Sequence, residues 1–404
     1  MLRDKYRLVH VKRKGERGTM QYREIGKTGF KASLLGMGCM RLPYIDNSDL
    51  TKGVDREQAC ELIRYAVANG INYFDSALRY HGGESEAILG EALDYSGYRE
   101  KVWITTKHPF WQECAPDQVR RDLESTLKKL RSDYLDAYFM HGVGPAYWEN
   151  IQKWEIFRLF EKLRDEGLIR HIGFSYHGNQ KNFKEVIQRY PWDLCMVMHN
   201  LLDVDREATA DGIRAAAEKG IAVMVMEPLR GGGLSQAPRP VAELYDSFPV
   251  KRKPVEWAFR YLADMPEVTT IVSGMSSIEQ LKENLVFFSQ DDLTPRCLNA
   301  GERELIVAAR NAYNSIVTIP CTACKYCMPC PQKVNIPTAF NLYNDGNRFE
   351  FFNQVRRSYM FTRRGGQGAE NCIACGECVL KCPQGIDIPA QLKIAHDALK
   401  GWEE

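Results

Sequence analysis

The chain has 404 residues, more than one ordinary domain contains, which predicts a large domain followed by a smaller one. Hydrophobic residues make up 44% of it and charged residues 26%, the proportions of a globular protein with a buried core. Its 54 basic and 52 acidic side chains give a formal net charge of only +2, and no apolar run approaches the roughly 20 residues of a membrane-spanning helix. The sequence therefore predicts no nucleic-acid partner and no membrane partner.

The first 19 residues are basic and lack the apolar stretch of a secretory signal peptide. The pattern of regular structure starts after Met20. We interpret residues 1–19 as a basic N-terminal extension and expect the large domain to span residues 20–295. Without an export signal, the expected location is the cytoplasm.

Eight short apolar segments recur along the first 280 residues, each bounded by turn or cap residues. They are continuously apolar rather than alternating, as expected for strands that are covered on both faces. These segments are 33–39, 71–75, 102–107, 135–141, 169–175, 194–199, 221–227 and 268–274.

Amphipathic segments lie between these strands, among them 55–69, 117–130, 148–166 and 208–219. Gly70, Gly167 and Gly220 each follow such a segment, where a glycine at the end of a helix belongs. Eight strand–helix units predict an α/β fold, a (β/α)8 TIM-type barrel. An open doubly wound sheet is the alternative, weakened because no G-x-G-x-x-G motif opens the first helix.

The composition changes after about residue 295. Residues 302–315 read as one further helix, with acidic residues in the first turn, where the helix dipole favours them. Eight of the 13 cysteines then lie between Cys321 and Cys382. Clustered cysteines in a reducing compartment indicate a metal site rather than disulfide bonds. The sequence therefore predicts a small, mainly helical metal-binding domain over residues 296–404.

Two cysteine runs, each closed by a proline, lie in this domain, and no other internal repeat is evident. The runs are Cys321, Cys324, Cys327 and Cys330, and Cys372, Cys375, Cys378 and Cys382. The second run resembles bacterial ferredoxins residue for residue in its spacing, and the first is one residue shorter in its last gap. The resemblance implies two [4Fe-4S] clusters in a ferredoxin-like domain. Two structural zinc sites are the alternative, because four thiolates also suit tetrahedral zinc.

The resemblance also implies how the cysteines share the clusters. In two-cluster ferredoxins the fourth cysteine of each run binds the other cluster. One cluster would therefore be held by the first three cysteines of the first run with Cys382, and the other by the first three of the second run with Cys330. Because so small a module has little core of its own, its metal could be what folds it.

Four polar residues lie at or just beyond the ends of predicted barrel strands, where barrels of this type carry their active sites. Asp75, Lys107 and His141 end strands two, three and four, and Tyr80 lies in the loop after Asp75. A tyrosine hydroxyl can protonate a developing alkoxide, while a lysine cation lowers the pKa of that hydroxyl and a carboxylate fixes the lysine. A histidine can orient the carbonyl. Together the four residues predict carbonyl chemistry.

From about Tyr22 to Leu285 the sequence resembles the aldo-keto reductase family. The resemblance is carried by segments 74–93 (FDSALRYHGGESEAILGEAL), 104–108 (ITTKH), 133–142 (DYLDAYFMHG), 167–175 (GLIRHIGFS), 227–234 (EPLRGGGL) and 273–285 (SGMSSIEQLKENL). It places the catalytic tetrad of the family on Asp75, Tyr80, Lys107 and His141. It implies that Tyr80 is the general acid/base, that Lys107 and Asp75 tune it, and that His141 positions the substrate.

The nicotinamide pocket departs from the family pattern at three positions. The family usually has Ser-Asn after its fifth strand, where this chain has Ser175 and Tyr176. It usually has Gln on the sixth strand and a stacking aromatic on the seventh, where Met196 and Met226 align. Each methionine could also be ordinary core packing. Three changes at one site predict a modified redox-cofactor pocket.

The phosphate end of the cofactor site keeps the expected features. Residues 231–233 and 274–277 follow strands seven and eight, where barrels of this type bind phosphate through loop amides and a helix N-terminus, although the glycines could equally be tight turns. By resemblance, Gln280 and Asn284 fit the adenosine end in one branch of the family. The expected cofactor contacts are Ser175, Met226, Leu229, Gly231, Gly232, Gly274, Ser276, Gln280 and Asn284.

The expected function is that of an oxidoreductase that interconverts a small-molecule carbonyl and its alcohol with NADP(H) or NAD(H). The clusters would be structural or would pass electrons to a ferredoxin or another electron-transfer partner. NAD(P)H gives up two electrons as hydride, whereas an iron–sulfur cluster passes one at a time, so a flavin such as FMN is an alternative cofactor. The runner-up is thus a flavin- or ferredoxin-linked reductase in which nicotinamide is not the direct redox cofactor. A non-enzymatic electron carrier is a third reading, against which the intact tetrad argues.

Overall fold

The computed structural model describes residues 19–46, 52–94, 97–110, 115–321 and 323–401. Apart from Thr19, the predicted N-terminal extension lies outside the described residues. The chain forms two compact units: the first comprises Met1–Leu229 and Ala258–Asn299, and the second comprises Arg230–Trp257 and Ala300–Glu404. No helix in the described part of the chain combines the length and the apolar character needed to cross a membrane.

Eight parallel strands close into a barrel in which the last strand pairs with the first. They are β3 (Leu35–Gly38), β4 (Tyr73–Asp75), β5 (Trp103–Pro109), β6 (Leu135–Val143), β7 (Ile169–Tyr176), β8 (Leu194–Met198), β9 (Ala222–Met226) and β10 (Val268–Ser273). Each of the eight predicted apolar segments contributes one strand. The (β/α)8 prediction is confirmed, and closure of the sheet excludes the open doubly wound alternative.

A short antiparallel hairpin precedes the barrel. Its strands are β1 (Tyr22–Glu24) and β2 (Lys31–Ser33), with Tyr22 opposite Ser33. Ser33, predicted to begin the first barrel strand, therefore ends the hairpin instead. Ile25 and Ala32 are fully buried in the same cluster as the barrel-interior side chains, so the hairpin packs on the barrel interior.

Large side chains from alternate strand positions fill the barrel interior. Tyr73, Trp103, Phe139, Met196 and Met224 belong to one buried cluster. Successive side chains of a strand point to opposite faces, so residues an even number of positions further along these strands also face inward. At the carboxyl ends of the strands those inward positions form the rim where such barrels hold their active sites.

The helices up to residue 288 are α1 (Arg56–Ala68), α2 (Ser85–Leu93), α3 (Pro116–Leu130), α4 (Pro145–Lys153), α5 (Ile156–Asp165), α6 (Gln180–Arg189), α7 (Thr209–Glu218), α8 (Arg239–Ser247), α9 (Pro254–Ala263) and α10 (Ile278–Phe288). Asp55 caps α1 by accepting a hydrogen bond from the Gln58 amide. Gly70, Gly167 and Gly220 all adopt left-handed φ values, as their predicted place at helix ends requires.

The segment 148–166, predicted as one helix, forms parts of two helices, α4 and α5. The chain breaks at Glu155, whose φ of 49° is left-handed and interrupts the helical backbone. α5 then buries Ile156, Phe160 and Leu163, which share one helical face because they are four and three residues apart. The apolar spacing therefore predicts the buried face correctly but not the break.

The C-terminal part of the second unit is helical, as predicted, with α11 (Ala300–Ser315), α12 (Ile336–Phe349), α13 (Phe352–Arg364), α14 (Glu377–Leu380) and α15 (Ile388–Leu399). Phe340 of α12, Tyr359 of α13 and Leu392 of α15 meet in a small buried core. Six cysteines of the two runs pack against this core. The core of this part is therefore built directly beneath the cysteine loops.

The two cysteine runs repeat in backbone conformation as well as in spacing. Ala323 and Ala374 stand at equivalent positions, and both have a φ of 54°. Each run leads into a helix that starts at an Ile-Pro pair and is capped by a side chain, Asn335 before α12 and Asp387 before α15. The repeat is thus longer than the cysteine spacing indicates, because it includes the helix that follows each run.

Candidate active site and metal centre

Three polar side chains stand at inward-facing positions near the carboxyl ends of neighbouring strands. Asp75 ends β4, Lys107 lies in β5 and His141 lies in β6. Each follows an interior residue of its own strand at an even spacing, so each points into the barrel. Tyr80 opens the 3-10 turn that follows β4. The structure therefore brings all four predicted catalytic residues to one end of the barrel.

Lys107 lies at the centre of this group and is only 1% exposed. Its Nζ donates hydrogen bonds to Asp75 Oδ1 at 2.5 Å and to the carbonyl of Ser76 at 2.8 Å. It also lies 3.4 Å from the hydroxyl oxygen of Tyr80. A buried ammonium is costly unless it is paired, and this one has three oxygen partners.

Burial and the neighbouring opposite charges shift the pKa values of these groups in opposite directions. Burial raises the pKa of Asp75 and of Tyr80, and the nearby Lys107 cation offsets only part of that effect. Burial lowers the pKa of Lys107, but Asp75 and Tyr80 outweigh it, so that this pKa is raised. At neutral pH Lys107 is therefore a cation and Tyr80 a neutral phenol, which is the state of a proton donor.

The His141 ring stands edge-on to the Tyr80 ring, with 6.1 Å between centroids and 83° between planes. Burial, and then the charge of Lys107, lower the pKa of His141 to about 3. His141 is therefore neutral near pH 7, with one nitrogen that donates and one that accepts. Side by side, the tyrosine hydroxyl and the imidazole can bind one carbonyl oxygen and protonate it.

The residues expected beside a nicotinamide are engaged in packing or in backbone contacts. Ser175 is buried, and its Oγ accepts a hydrogen bond from the Gly142 amide at 2.8 Å. Tyr176 is fully buried and donates from its hydroxyl to a backbone carbonyl three residues on. Met196 is part of the barrel-interior cluster, and the half-buried Met226 packs against it. Both methionine positions thus supply apolar surface rather than hydrogen bonds.

The start of α10 organises the expected phosphate end of the site. Ser277 caps this helix by accepting a hydrogen bond from the Gln280 amide. The Gln280 side chain turns back, and its Oε1 accepts from the Ser276 amide at 2.9 Å. Asn284 is buried one turn further along the helix. Two amides at this helix start are therefore already paired with side chains, in a capping arrangement.

Arg41 is a basic residue beside this helix that sequence reasoning missed. It ends the 3-10 turn that follows β3, and its side chain is exposed. A Cβ added at Gly274 would lie 3.1–3.2 Å from three carbon atoms of the Arg41 side chain. A predicted closed barrel already implies this proximity, because closure pairs the first barrel strand, β3, with the last, β10, and Arg41 and Gly274 follow these two strands.

The expected contacts after β9 divide between the two units. Leu229 is half-buried and ends the first stretch of the first unit, whereas Gly231 and Gly232 belong to the second. Both glycines are left-handed, with φ values of 67° and 105°. The carbonyl of Gly231 accepts a hydrogen bond from Gln354 at 2.7 Å, and a Cβ at Gly233 would meet two phenylalanine rings at 2.8–2.9 Å. In the second unit these glycines serve a tight turn and close packing.

A histidine near the tetrad was not predicted either. His177 directly follows β7, and its Nδ1 lies 3.1 Å from Oε1 of Glu207. Burial lowers the pKa of His177, but Glu207 and then Glu227 outweigh it, so that this pKa is raised. His177 also lowers the pKa of His141, after burial and Lys107, which places it close to the tetrad. Its place after a barrel strand was the only sequence signal, since Glu207 lies 30 residues away.

Cysteines of both runs line a single cavity in the second unit. They are Cys321, Cys324, Cys327 and Cys382, and the walls include Ile336, Phe340 and Ile388. These four are the set that the ferredoxin resemblance predicts for one cluster. The amide of Ala323 donates a hydrogen bond to the Cys321 sulfur at 3.4 Å, a kind of contact that tunes metal-bound thiolates.

The other four cysteines are also neighbours of one another. Burial, and then Cys372, Cys375 and Cys330, raise the pKa of Cys378, so the fourth cysteine of the first run lies near the second run. Within the residues that the structure describes, no three His, Cys, Asp or Glu side chains converge closely enough to hold a single metal ion. Thiolate sulfur is the donor that iron–sulfur clusters take, so the donor set fits such clusters.

Comparison with family models identifies both parts of the chain. Residues 34–299 match the model of the aldo/keto reductase family. The chain belongs to the aldo/keto reductase family. Residues 320–386 match the model of a 4Fe-4S dicluster domain, so this aldo/keto reductase carries an iron–sulfur domain after its barrel. Both predicted resemblances are thereby confirmed, and the zinc alternative is not supported.

Curated proteins and a solved structure align with about two thirds or more of this chain. The oxidoreductase YqkF of Bacillus subtilis is 26% identical in an alignment 296 residues long, which covers 66% of this chain and 90% of that protein. L-Galactose dehydrogenase of Arabidopsis thaliana is 26% identical in an alignment 288 residues long, which covers 66% of this chain and 87% of that protein. The holo form of aldo-keto reductase AKR11C1 from Bacillus halodurans has 28% identity and a TM-score of 0.59, and 96% of it aligns with 72% of this chain. More than a quarter of the present chain therefore lies outside its alignment with that structure.

Proposed function

We propose that this aldo/keto reductase interconverts a carbonyl and an alcohol with NAD(P)H, and that Tyr80 is its general acid/base. The observation that carries the proposal is the contact of the buried Lys107 ammonium with both Asp75 and the Tyr80 hydroxyl. An ammonium beside a tyrosine stabilises the phenolate that remains after proton donation. Family membership and the oxidoreductase names of the relatives support the reaction class.

Each member of the tetrad has a distinct role in this proposal. In reduction, the Tyr80 hydroxyl gives its proton to the carbonyl oxygen while Lys107 stabilises the phenolate that forms. Asp75 holds Lys107 in place through the 2.5 Å contact. His141, neutral because its pKa is lowered to about 3, donates an N–H to the same oxygen and orients the substrate. In oxidation, Tyr80 takes the proton back.

The two ends of the proposed dinucleotide site fit NAD(P)H unequally. Arg41 beside Gly274 and the positive dipole end of α10 suit the phosphates, while side chains already hold two amides of that helix start. At the other end Met196 and Met226 offer apolar surface where the family pattern has an amide and a stacking ring. Bound NAD(P)H would supply a hydride. We propose that the ring lies near Ser175, Met226 and Leu229, and the adenosine near Ser276, Gln280 and Asn284.

We further propose that the dicluster domain holds its two [4Fe-4S] clusters across the runs. One would be bound by Cys321, Cys324, Cys327 and Cys382, and the other by Cys330, Cys372, Cys375 and Cys378. The shared cavity of the first set and the proximity of Cys330 to Cys378 support this division. When bound, such clusters pass single electrons, to a ferredoxin-like partner, or they serve only to hold the domain together. The exposed thiols favour a reducing location such as the cytoplasm.

The altered nicotinamide end favours a second candidate function. In it the barrel is a flavin- or ferredoxin-linked reductase, and nicotinamide is not the direct redox cofactor. The supporting observation is that Met196 belongs to the barrel-interior cluster and Met226 packs against that cluster, while the Ser175 hydroxyl accepts a hydrogen bond from a backbone amide. The tetrad would serve the same proton transfer in either case.

Turnover of the Tyr80→Phe variant tests the proposal. Wild-type protein and variant are given a panel of aldehydes and ketones with NADPH or NADH, and loss of the nicotinamide absorbance is followed. We expect the variant to lose about 10²–10⁴-fold in turnover, the usual contribution of a general acid. Tyr65→Phe, on α1, is the matched control and should change nothing. Turnover by the variant equal to wild type would remove Tyr80 from the mechanism, and activity only with a flavin or ferredoxin donor would favour the second candidate.

A further inference from the structure

Three large apolar side chains are exposed in the cysteine loops. Tyr326 is 66% exposed, Ile373 is 64% exposed and Leu380 is 92% exposed. Tyr326 precedes Cys327 directly, Ile373 follows Cys372, and Leu380 ends α14 in the last gap of the second run. Single exposed apolar residues are ordinary, but three beside cluster-binding cysteines mark a surface worth testing as a binding site.

The two loops that carry these side chains lie next to each other. Cys327 of the first run and Cys378 of the second run pack against the same small core. Cys382 lies close to Cys321 at the shared cavity. The first run therefore meets the end of the second run. Tyr326, next to Cys327, and Leu380, two residues before Cys382, accordingly flank the same group of cysteines. The outermost cysteines, Cys324 and Cys375, are themselves exposed.

The same loops are basic. Lys325, Lys333 and Lys381 are all exposed, and none forms an ion pair with a carboxylate of the described residues. Glu377 is the one acidic residue within the two runs. Residues 316–386 as a whole contain eight basic and four acidic side chains, against a net charge of only +2 for the full chain. Among the side chains of the dicluster domain, basic groups therefore outnumber acidic ones twofold.

We propose that an acidic one-electron carrier protein docks on this surface, the cysteine-loop face, defined by Tyr326, Ile373, Leu380 and the three lysines Lys325, Lys333 and Lys381. The proposal rests on the iron–sulfur ligation proposed above. Charge complementarity selects the occupant, because exposed lysines in the same loops as the exposed apolar side chains attract a carboxylate-rich partner and speed its approach. Electron-transfer encounters bury little surface, so a few exposed side chains are enough to form such a site.

A second copy of this chain is a poorer occupant of the cysteine-loop face. Two identical basic surfaces would bring like charges together, which costs free energy at an interface. Self-association through this face is therefore one of the outcomes that would overturn the proposal.

Binding of a purified acidic bacterial-type ferredoxin to the intact, anaerobically purified protein tests the proposal. Affinity is measured by calorimetry at low and at high salt, with a basic c-type cytochrome as the probe of opposite charge. We expect Leu380→Asp to weaken ferredoxin binding by about tenfold or more, the effect of a central interface residue. Lys381→Glu should weaken it by about two- to fivefold, and added salt should weaken the wild type. The cytochrome should not bind.

Two control variants separate the cysteine-loop face from the rest of the domain. Val307→Asp changes an apolar side chain of α11 that is 47% exposed, and Lys393→Glu changes an exposed lysine of α15. Both should bind ferredoxin like the wild type. Tyr326→Ser provides a second route to the same test, should Leu380→Asp lose iron.

The outcomes distinguish this proposal from the iron–sulfur proposal. Protein with full iron and sulfide that does not bind ferredoxin, or that binds it equally well after Leu380→Asp, Tyr326→Ser and Lys381→Glu, overturns the docking surface alone. Protein without iron and sulfide overturns both. Sedimentation that shows dimers broken by Leu380→Asp would assign the cysteine-loop face to a second copy of the chain and overturn the carrier.

Discussion

The tetrad and the cysteine loops hold reactive side chains in opposite ways. Lys107 and Asp75 are buried, lie on neighbouring hydrogen-bonded strands and neutralise each other at 2.5 Å. Cys324 and Cys375 are exposed, on loops whose backbone passes through left-handed positions at Ala323 and Ala374. The barrel site is therefore organised by packing before any ligand arrives. The loops place eight thiols over a small core, and their order depends on what the thiols bind.

Loss of the lysine cation should cause the largest change. Lys107→Met should lower turnover by about 10²–10⁴-fold, because the pKa of Tyr80, already raised by burial, rises further without the neighbouring charge. The barrel should remain folded, since Asp75, whose pKa burial also raises, can take up a proton. Steady-state kinetics measure the turnover and a thermal melt measures the stability of the fold. Lys101→Met, which changes an exposed lysine, is the control. Turnover within a factor of a few of wild type would mean that the contact is only structural.

Removal of the iron should loosen the dicluster domain and leave the barrel unchanged. After anaerobic oxidation and chelation, peptides from α12, α13 and α15 should lose protection from hydrogen exchange, because thirteen buried residues make a small core. Peptides from β4, β5 and β6 should keep theirs.

Two serine variants test whether the iron depends on the cysteines of the two runs. Cys382→Ser should lower the iron content, whereas Cys297→Ser, outside the runs, should not. Equal protection with and without iron would show that the helices fold on their own core and do not depend on the metal.

The pH dependence of stability should show the buried His141. Its folded-state pKa is lowered to about 3 from an ordinary value of 6.5, so the unfolded chain binds the proton first as the pH falls. The stability that His141 contributes is therefore fully present above pH 6.5 and is lost progressively between there and pH 3. Denaturant unfolding of wild type and His141→Gln between pH 8 and pH 4 should show a shallower loss in the variant. Parallel curves would contradict a buried, neutral imidazole.

The smallest expected effect is at the phosphate end of the site. Arg41→Ala should raise the KM for the dinucleotide by about two- to fivefold and leave kcat unchanged, as expected for one exposed cation beside a phosphate. Arg131→Ala, which removes an exposed partner of Asp94, is the control. An unchanged KM would assign Arg41 to packing against Gly274.

The sequence was sufficient to predict the barrel and the meeting of the four candidate catalytic residues at one end of it. Strands covered on both faces are continuously apolar, which makes them visible, and parallel strands present their carboxyl ends at one rim. Asp75, Lys107 and His141 therefore had to lie together once their strands were found. The break at Glu155 escaped prediction, because the apolar spacing continues across it.

Contacts between loops that are distant in the chain could not be predicted from the sequence. The pairing of His177 with Glu207 depends on a loop whose path no periodicity describes, with Glu207 at a left-handed φ of 51°. Residues 231–233 fitted phosphate binding and tight turning equally well, and only the rings beside Gly233 show that close packing requires a glycine there. The division of the cysteines between two clusters stays a prediction, which the resemblance to ferredoxins implies.

The most direct test is a cofactor inventory of anaerobically purified protein: iron, sulfide and zinc content, with a visible spectrum before and after NADPH and then dithionite. Two clusters in the cysteine loops predict about eight iron and about eight sulfide per chain, no zinc, and bleaching by dithionite. Bleaching by NADPH would show in addition that the two regions exchange electrons. Zinc without sulfide would contradict the iron–sulfur domain and leave a reductase barrel followed by a zinc-stabilised module.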